Sequence, residues 1–431
     1  MPLNETTPSA FRISSHMAET LIPSEIIKLA AEVNHKIQAG EHIFNLTIGD
    51  FNPSIFPIPK GLEKFIIKAY QEGHTNYPAA NGMVDLRQVL STQINEKLGL
   101  HYSADEILIS GGARPLIYAI YKTLLDRGDT VLYPVPSWNN NHYCHLCEAN
   151  GIALEVNADQ NFMPTAADFE PHIQKATLIA LCSPQNPTGT VFTEDTLRDI
   201  CKLVLTENIR RKGIQKPLYI MYDQIYWELS FGDTKHFDPV SLIPELRDYV
   251  IYVDGLSKVY AATGIRVGWS FGPRKIMDQM RAILSHIGAW APKAEQMATA
   301  WFIKDQQEVQ TYLDWFKPEI HTRLTGLYEG ILNLKHLGYP IDIIHPQAAI
   351  YLTVKCPWKN KKTAEGRILQ NQIQVTDYIL NACKVGIVPF KAFGASEDSE
   401  WYRISVGTLK KLEIAEIVNA LKSGMDQLME V

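Results

Sequence analysis

Between residues 106 and 271 the chain alternates short apolar runs with longer amphipathic segments, and this rhythm restricts the possible folds more than any other feature. Strands are predicted at 106–110, 130–133, 152–156, 177–181, 218–222, 250–253 and 267–271, and helices at 114–125, 138–150 and 194–206. Thr193 is a natural N-cap for the last of these helices, with Glu194 and Asp195 placing negative charge in its first turn. Strands separated by helices pair in parallel through right-handed crossovers, so a helix-covered α/β sheet is expected.

Beyond about residue 292 the rhythm changes to long helices, including 318–337, short strands near 350–354, 385–388 and 401–405, and a last helix at 411–429. That pattern predicts a second, smaller α+β unit. A helix at 23–38 stops at Gly40 ahead of a strand at 43–48, and is expected to pack on the C-terminal unit or on a partner subunit. The expected division is an N-terminal arm and small-domain strand over 1–55, a large domain over 56–300 and a small α+β domain over 301–431. The polar stretch 359–374 reads as a solvated loop leading into a helix.

Charge narrows the classes of partner. The formal net charge is −6, with 46% hydrophobic and 20% charged residues, a globular profile without a basic face for nucleic acid. The apolar runs are strand-sized, well short of the roughly 20 residues that cross a bilayer. Residues 1–15 hold one basic residue and no apolar stretch of signal-peptide length, so a cytoplasmic location is expected. Six scattered cysteines fit free thiols in a reducing compartment. His142, Cys144, His145 and Cys147 fall within six residues of one predicted helix and cannot all turn toward one zinc, so no metal site is expected.

Five stretches carry chemistry. In Val253-Asp254-Gly255-Leu256-Ser257-Lys258, continuing to Arg266 and Trp269, a strand delivers a lysine whose amine is nucleophilic only when neutral, a state favoured by desolvation and a neighbouring cation such as Arg266. In 218–226 an apolar strand delivers Asp223, a carboxylate that needs a cationic partner if buried, followed by Tyr226. Ser183-Pro184-Gln185-Asn186-Pro187-Thr188-Gly189 is a proline-stiffened turn that fixes the Asn186 amide. Ser110-Gly111-Gly112-Ala113-Arg114 leads from a strand into a helix, an anion site by its backbone amides and helix end. Trp401-Tyr402-Arg403-Ile404-Ser405 sets an arginine within an apolar strand, a fork suited to a carboxylate.

Together with Trp138, the loop Asn45-Leu46-Thr47-Ile48-Gly49-Asp50 and Asn76-Tyr77-Pro78, these motifs resemble, in the same order and over nearly the whole chain, the class I/II aminotransferases that depend on pyridoxal 5′-phosphate (PLP). The resemblance is strongest to the bacterial branch containing aspartate and prephenate aminotransferases. It implies PLP-dependent transferase fold type I, a homodimer, and ping-pong exchange of an amino group between an amino acid and a 2-oxo acid through a Lys258 Schiff base. It further implies that Asp223 pairs with the pyridine nitrogen, that Tyr226 and Asn186 donate to the ring's phenolic oxygen, and that Trp138 stacks on the ring. Gly112, Ala113, Arg114, Ser257 and Arg266 would hold the phosphate, with Tyr77 reaching the phosphate of the neighbouring subunit. Gly49, Trp138, Asn186 and Arg403 would border the substrate, Arg403 taking its α-carboxylate.

Two positions depart from the family pattern. Gly255 stands where some relatives carry a phosphate-binding hydroxyl, which leaves more to Ser257 and Arg266. Ala113 stands where dicarboxylate-specific members carry a lysine, so Arg114, His286 or Lys293 would have to replace it, and an aromatic or neutral substrate stays open. The alternative on the same fold is a carbon–sulfur lyase. A PLP-binding regulator is disfavoured because only about 22 residues precede the first predicted helix and the chain is acidic.

Overall fold

The structure is a computed structural model and describes residues 13–23 and 25–430. Residues 1–12, on which most of the leader-segment reading rests, lie outside it. The strands in chain order are β1 (Phe44–Asn45), β2 (Ile107–Ser110), β3 (Thr130–Val135), β4 (Asn150–Glu155), β5 (Ala176–Cys182), β6 (Tyr219–Asp223), β7 (Val250–Gly255), β8 (Gly268–Phe271), β9 (Asp342–Ile343), β10 (Tyr351–Lys355), β11 (Val385–Gly386), β12 (Val388–Pro389) and β13 (Trp401–Ser405).

Seven of them form the main sheet in the order β2-β8-β7-β6-β5-β3-β4. From β4 to β7 every pairing is parallel, and the strands β2, β3, β7 and β8 are buried along their whole length, as sheets sandwiched between helices require. The sheet is mostly parallel, the exception being β8, which pairs antiparallel with both β7 and β2. The segment joining β7 to β8 holds only the single turns Leu256–Val259 and Thr263–Ile265, with no covering helix to carry the chain back for a parallel return.

Strand order reverses between β3 and β5, and ligands of such sheets bind beyond the carboxyl ends of the strands near that point. The loops after β3 and β5 carry Trp138 and Asn186. Trp138, the first residue of the helix expected at 138–150, lies outside the observed helix, which covers only Asn140–Cys147 and starts after Asn139 in a left-handed conformation at φ 61°.

The second unit is built on β12-β13-β10-β9, antiparallel throughout, with β1 pairing parallel to β11. The expected strand 43–48 shortens to β1, but its continuation stays pinned: Leu46 donates to the Gly386 carbonyl and accepts from the Ser405 amide, each at 2.9 Å. The expected helix at 318–337 is the second half of Gln306–His336, which runs through Pro318. An interior proline costs about 3 kcal/mol. Buried Val309, Leu313, Phe316, Ile320, Leu324, Leu327 and Ile331 form one continuous apolar stripe across it and outweigh that cost. The helix Glu25–Gln38 packs Val33 against Ile43 and Leu380, and sets Ile26 and Leu29 near Phe390.

Candidate active site

A cavity of about 690 Å³ opens at the carboxyl ends of β5, β6 and β7. It is lined by Gly49, Ala113, Arg114, Trp138, Asn186, Asp223, Tyr226, Ser257, Lys258, Arg266 and Arg403, so segments hundreds of residues apart converge there. Gly112 sits behind this wall beneath Arg266.

Lys258 is presented by the single turn after β7, and its Nζ donates to the Gly49 carbonyl at 2.5 Å. Burial pushes its amine down to about 8; Asp50 opposes this, and Arg403, Arg114 and Arg266 reinforce it. Desolvation therefore outranks the single cation expected from sequence. Asp223 ends β6, and its carboxylate accepts only from the Ile225 amide, at 3.1 Å, with no ion pair among the described residues. Burial raises its carboxyl to about 6. A buried carboxylate on a cavity wall with no ion pair, eased only partly by the charge of Lys258, fits a ring nitrogen that carries a proton.

Arg403 lies in the middle of β13 and is 2% exposed, its guanidinium between the rings of Tyr351 at 4.7 Å and Phe393 at 4.9 Å. Nη1 donates to Asn186 Oδ1 at 3.0 Å and Nη2 to the Thr47 carbonyl at 2.6 Å, while the buried Nε has no partner. No carboxylate pairs with it among the described residues, which leaves its charge for a carboxylate brought by a ligand. Because Asn186 accepts with Oδ1, its Nδ2 is the atom left to donate into the cavity.

The phosphate-sized end is tightly built. Gly112, at φ +96°, precedes the helix Ala113–Leu124, and a Cβ there would fall 2.2 Å from Arg266 Nη2. Arg266 donates to the carbonyls of Thr263 at 2.6 Å and Gly111 at 2.9 Å. A side chain at Gly255 would meet the backbone of Gly268 at 2.9 Å, so the hydroxyl found there in some relatives has no room in this chain. The Ser110 hydroxyl is turned away, donating to the Ala289 carbonyl at 2.5 Å. A helix start faced by Arg266, a buried carboxylate with no ion pair and a desolvated amine fit PLP.

Several lining residues were not legible as site residues. Asp50 accepts from Thr263 Oγ1 at 2.6 Å beside Lys258, and Tyr351 meets Tyr226 hydroxyl to hydroxyl at 2.7 Å. Ile26 and Ile27 of the helix Glu25–Gln38 close one side. Arg114 stacks its guanidinium 4.4 Å above the Trp138 ring, a neighbour the sequence did not indicate. Tyr77 is not part of this cavity: it is 83% exposed, its ring edge-on to Trp290 at 5.4 Å. Neither His286 nor Lys293 lines the cavity, and Lys293 is hydrogen-bonded to Asn76. Among the described residues no three of His, Cys, Asp and Glu are grouped to hold a metal; His145 meets the Met17 carbonyl at 2.9 Å, and Cys144 and Cys147 are core residues.

Comparison with known proteins agrees with this geometry. The family described as aminotransferase class I and II matches residues 41–421. A probable aspartate/prephenate aminotransferase of Rickettsia felis is 28% identical over 407 residues, 94% of each chain. An aspartate aminotransferase of Rhizobium meliloti is 26% identical over 432 residues, spanning 99% of this chain and all of that one. The crystal structure of the aspartate aminotransferase from Rhizobium meliloti superposes with a TM-score of 0.87 at 24% identity, covering 97% of this chain and 100% of the other.

Proposed function

The chain belongs to the class I and II aminotransferases, and on that premise we propose which residues carry out the transfer and which substrate they select. It is a PLP-dependent enzyme that moves an amino group between an amino acid and a 2-oxo acid. The carbon–sulfur lyase alternative finds no support in these relatives.

When bound, PLP supplies an aldehyde carbon for an amine to join and a ring that withdraws electrons from the substrate's α-carbon. Lys258, its amine pushed down to about 8 by burial, would hold that carbon, and its Nζ would take the proton from the substrate's α-carbon. Asp223 would keep a proton on the ring nitrogen. Asn186 Nδ2 and the Tyr226 hydroxyl would donate to the phenolic oxygen, and Trp138 would cover the ring. The amides of Ala113 and Arg114 would hold the phosphate with Ser257 and Arg266, while Gly112, whose own amide donates to the Ser110 carbonyl at 2.7 Å, gives Arg266 room to approach. Arg403 orients the substrate through its α-carboxylate, against the backbone of Gly49. The convergence of Lys258, Asp223, Asn186 and Arg403 on one cavity carries this reading.

The preferred substrate is an acidic amino acid. Of the three cations considered as replacements for the lysine missing at Ala113, Arg114 alone lines the cavity, and no carboxylate pairs with it among the described residues. Its backbone belongs to the phosphate cradle, while its side chain, stacked on Trp138, receives the second carboxylate. The names of the relatives, which include aspartate, agree with this choice.

The enzyme works as a homodimer in which exposed Tyr77 serves the neighbouring phosphate. Its large domain is 56–300 and its small domain is 301–431, joined by the strand from 1–55; the pairing of β1 with β11 supports that grouping. A cytoplasmic location is supported by six free cysteines. Among the described residues, no helix is long and apolar enough to cross a membrane.

Absorbance of the purified protein tests the reading. A cofactor band that disappears with an acidic amino acid and returns with a 2-oxo acid supports it. Absence of any band after PLP is supplied rejects it.

A further inference from the structure

Tyr351 belongs to no sequence motif, yet it touches three residues of the site at once. Its hydroxyl lies 2.7 Å from that of Tyr226, and its ring carries the Arg403 guanidinium at 4.7 Å. The same hydroxyl would stand 2.8 Å from a Cβ on Gly49, whose carbonyl accepts from Lys258. The residue is buried and lines the cavity.

Two hydroxyls that share one hydrogen bond use one of their two protons for it and leave the other free. Which proton is free depends on which tyrosine is the stronger acid. Arg403 stands directly on the Tyr351 ring, and its charge favours the phenolate of Tyr351 more strongly than that of Tyr226. Tyr351 is therefore the donor and Tyr226 the acceptor, so the Tyr226 proton points to another acceptor in the cavity. If Tyr351 were absent, nothing among the described residues would fix the Tyr226 hydroxyl, whose one hydrogen bond is to Tyr351.

We propose that Tyr351 is a positioning residue that aims the Tyr226 proton at the cofactor's phenolic oxygen and links that oxygen to the carboxylate site at Arg403. The inference rests on the roles given above to Tyr226 and Arg403, and adds a direction of coupling. A carboxylate seated on Arg403 cancels the cation above Tyr351, weakens Tyr351 as a donor, and so weakens Tyr226 as a donor to the cofactor. The bound cofactor then holds its proton to higher pH when the substrate site is filled.

The test is a pH titration of the bound cofactor's absorption in the holoenzyme, for the wild type, Tyr351→Phe, Tyr226→Phe and the double variant, with and without maleate as an unreactive dicarboxylate. Tyr351→Phe keeps the ring under Arg403 and removes only the hydroxyl. Its midpoint is expected to rise by about half a pH unit, less than the roughly one to two units that a whole hydrogen bond to an ionised oxygen is worth. Tyr226→Phe should rise further, and the double variant should match Tyr226→Phe alone, because Tyr351 acts through Tyr226. The maleate-induced rise should be smaller in Tyr351→Phe than in the wild type. An unchanged midpoint in Tyr351→Phe, or shifts that add in the double variant, overturns the proposal while leaving the site assignment standing. A wild type whose cofactor shows no titration at all overturns both. Melting temperatures of the cofactor-free variants separate these outcomes from a packing defect, which would lower stability without the non-additive pattern.

Discussion

Lys258 donates from Nζ to the main-chain oxygen of Gly49 at 2.5 Å, so the strand-end lysine and a loop 209 residues earlier meet across the cavity. The amine is hydrogen-bonded to backbone and not to a carboxylate, and its protonation is set first by burial, which Asp50 opposes and the surrounding guanidinium groups reinforce.

Replacing Lys258 removes both the covalent anchor and the base. Lys258→Ala is expected to abolish transamination while far-UV circular dichroism stays that of the parent. Lys258→Arg should be equally inactive, because a guanidinium stays charged at every working pH. Turnover near the parental rate in either variant would sink the assignment.

Asp223 sets a conflict between stability and cofactor binding. Its folded carboxyl is raised from 3.8 to about 6, so the folded state binds more protons than the unfolded state between those values. Stability of the cofactor-free protein therefore falls as pH rises through that window, and the cost of the buried charge is fully present above it. Asp223→Asn is expected to stabilise the cofactor-free protein at pH 8 by on the order of 2 kcal/mol, a gain that shrinks toward pH 4. The same substitution should weaken PLP binding. Denaturant unfolding at pH 5 and pH 8 checks the sign, and a gain independent of pH contradicts it.

Arg403→Lys keeps a charge and loses the fork. Losing one of two parallel hydrogen bonds to a carboxylate costs about 1.4 to 3 kcal/mol, so KM for the amino donor should rise about 10- to 100-fold with a smaller fall in kcat. Steady-state kinetics with one donor and one oxo acid measure the split.

Arg114 is expected to discriminate between donors. Arg114→Gln should raise KM for aspartate by about tenfold or more and leave a phenylalanine donor within about a factor of three. Adding Ala113→Lys should return part of the lost preference. Equal losses for both donors would move the guanidinium from the substrate to the phosphate.

Much of the site could be read from sequence because its residues sit where apolar strands stop. Asp223 ends β6, Lys258 follows β7, Asn186 follows β5, and Arg403 interrupts a strand found over the same residues, Trp401–Ser405, that were expected. Tyr351 gave no such signal: it opens β10 behind two alanines and an isoleucine, and its neighbours are fixed by register with β13, where it faces Ser405. Arg114 escaped as a partner of Trp138 because a stacking contact between a helix start and a strand-end loop has no sequence period. The first half of Gln306–His336 was hidden by Pro318, whose local preference yields to tertiary burial.

The pairing of β1 with β11 also sets a timetable. Phe44 waits for Val385 through about 340 residues of synthesis, roughly 20 to 70 seconds at ribosomal rates of about 5 to 20 residues per second. Throughout that wait the main sheet can assemble while Gly49 lacks the frame that brings its carbonyl to Lys258. A nascent chain stalled before residue 385 would thus carry the anchoring lysine on a finished strand and yet have no enclosed chamber around it.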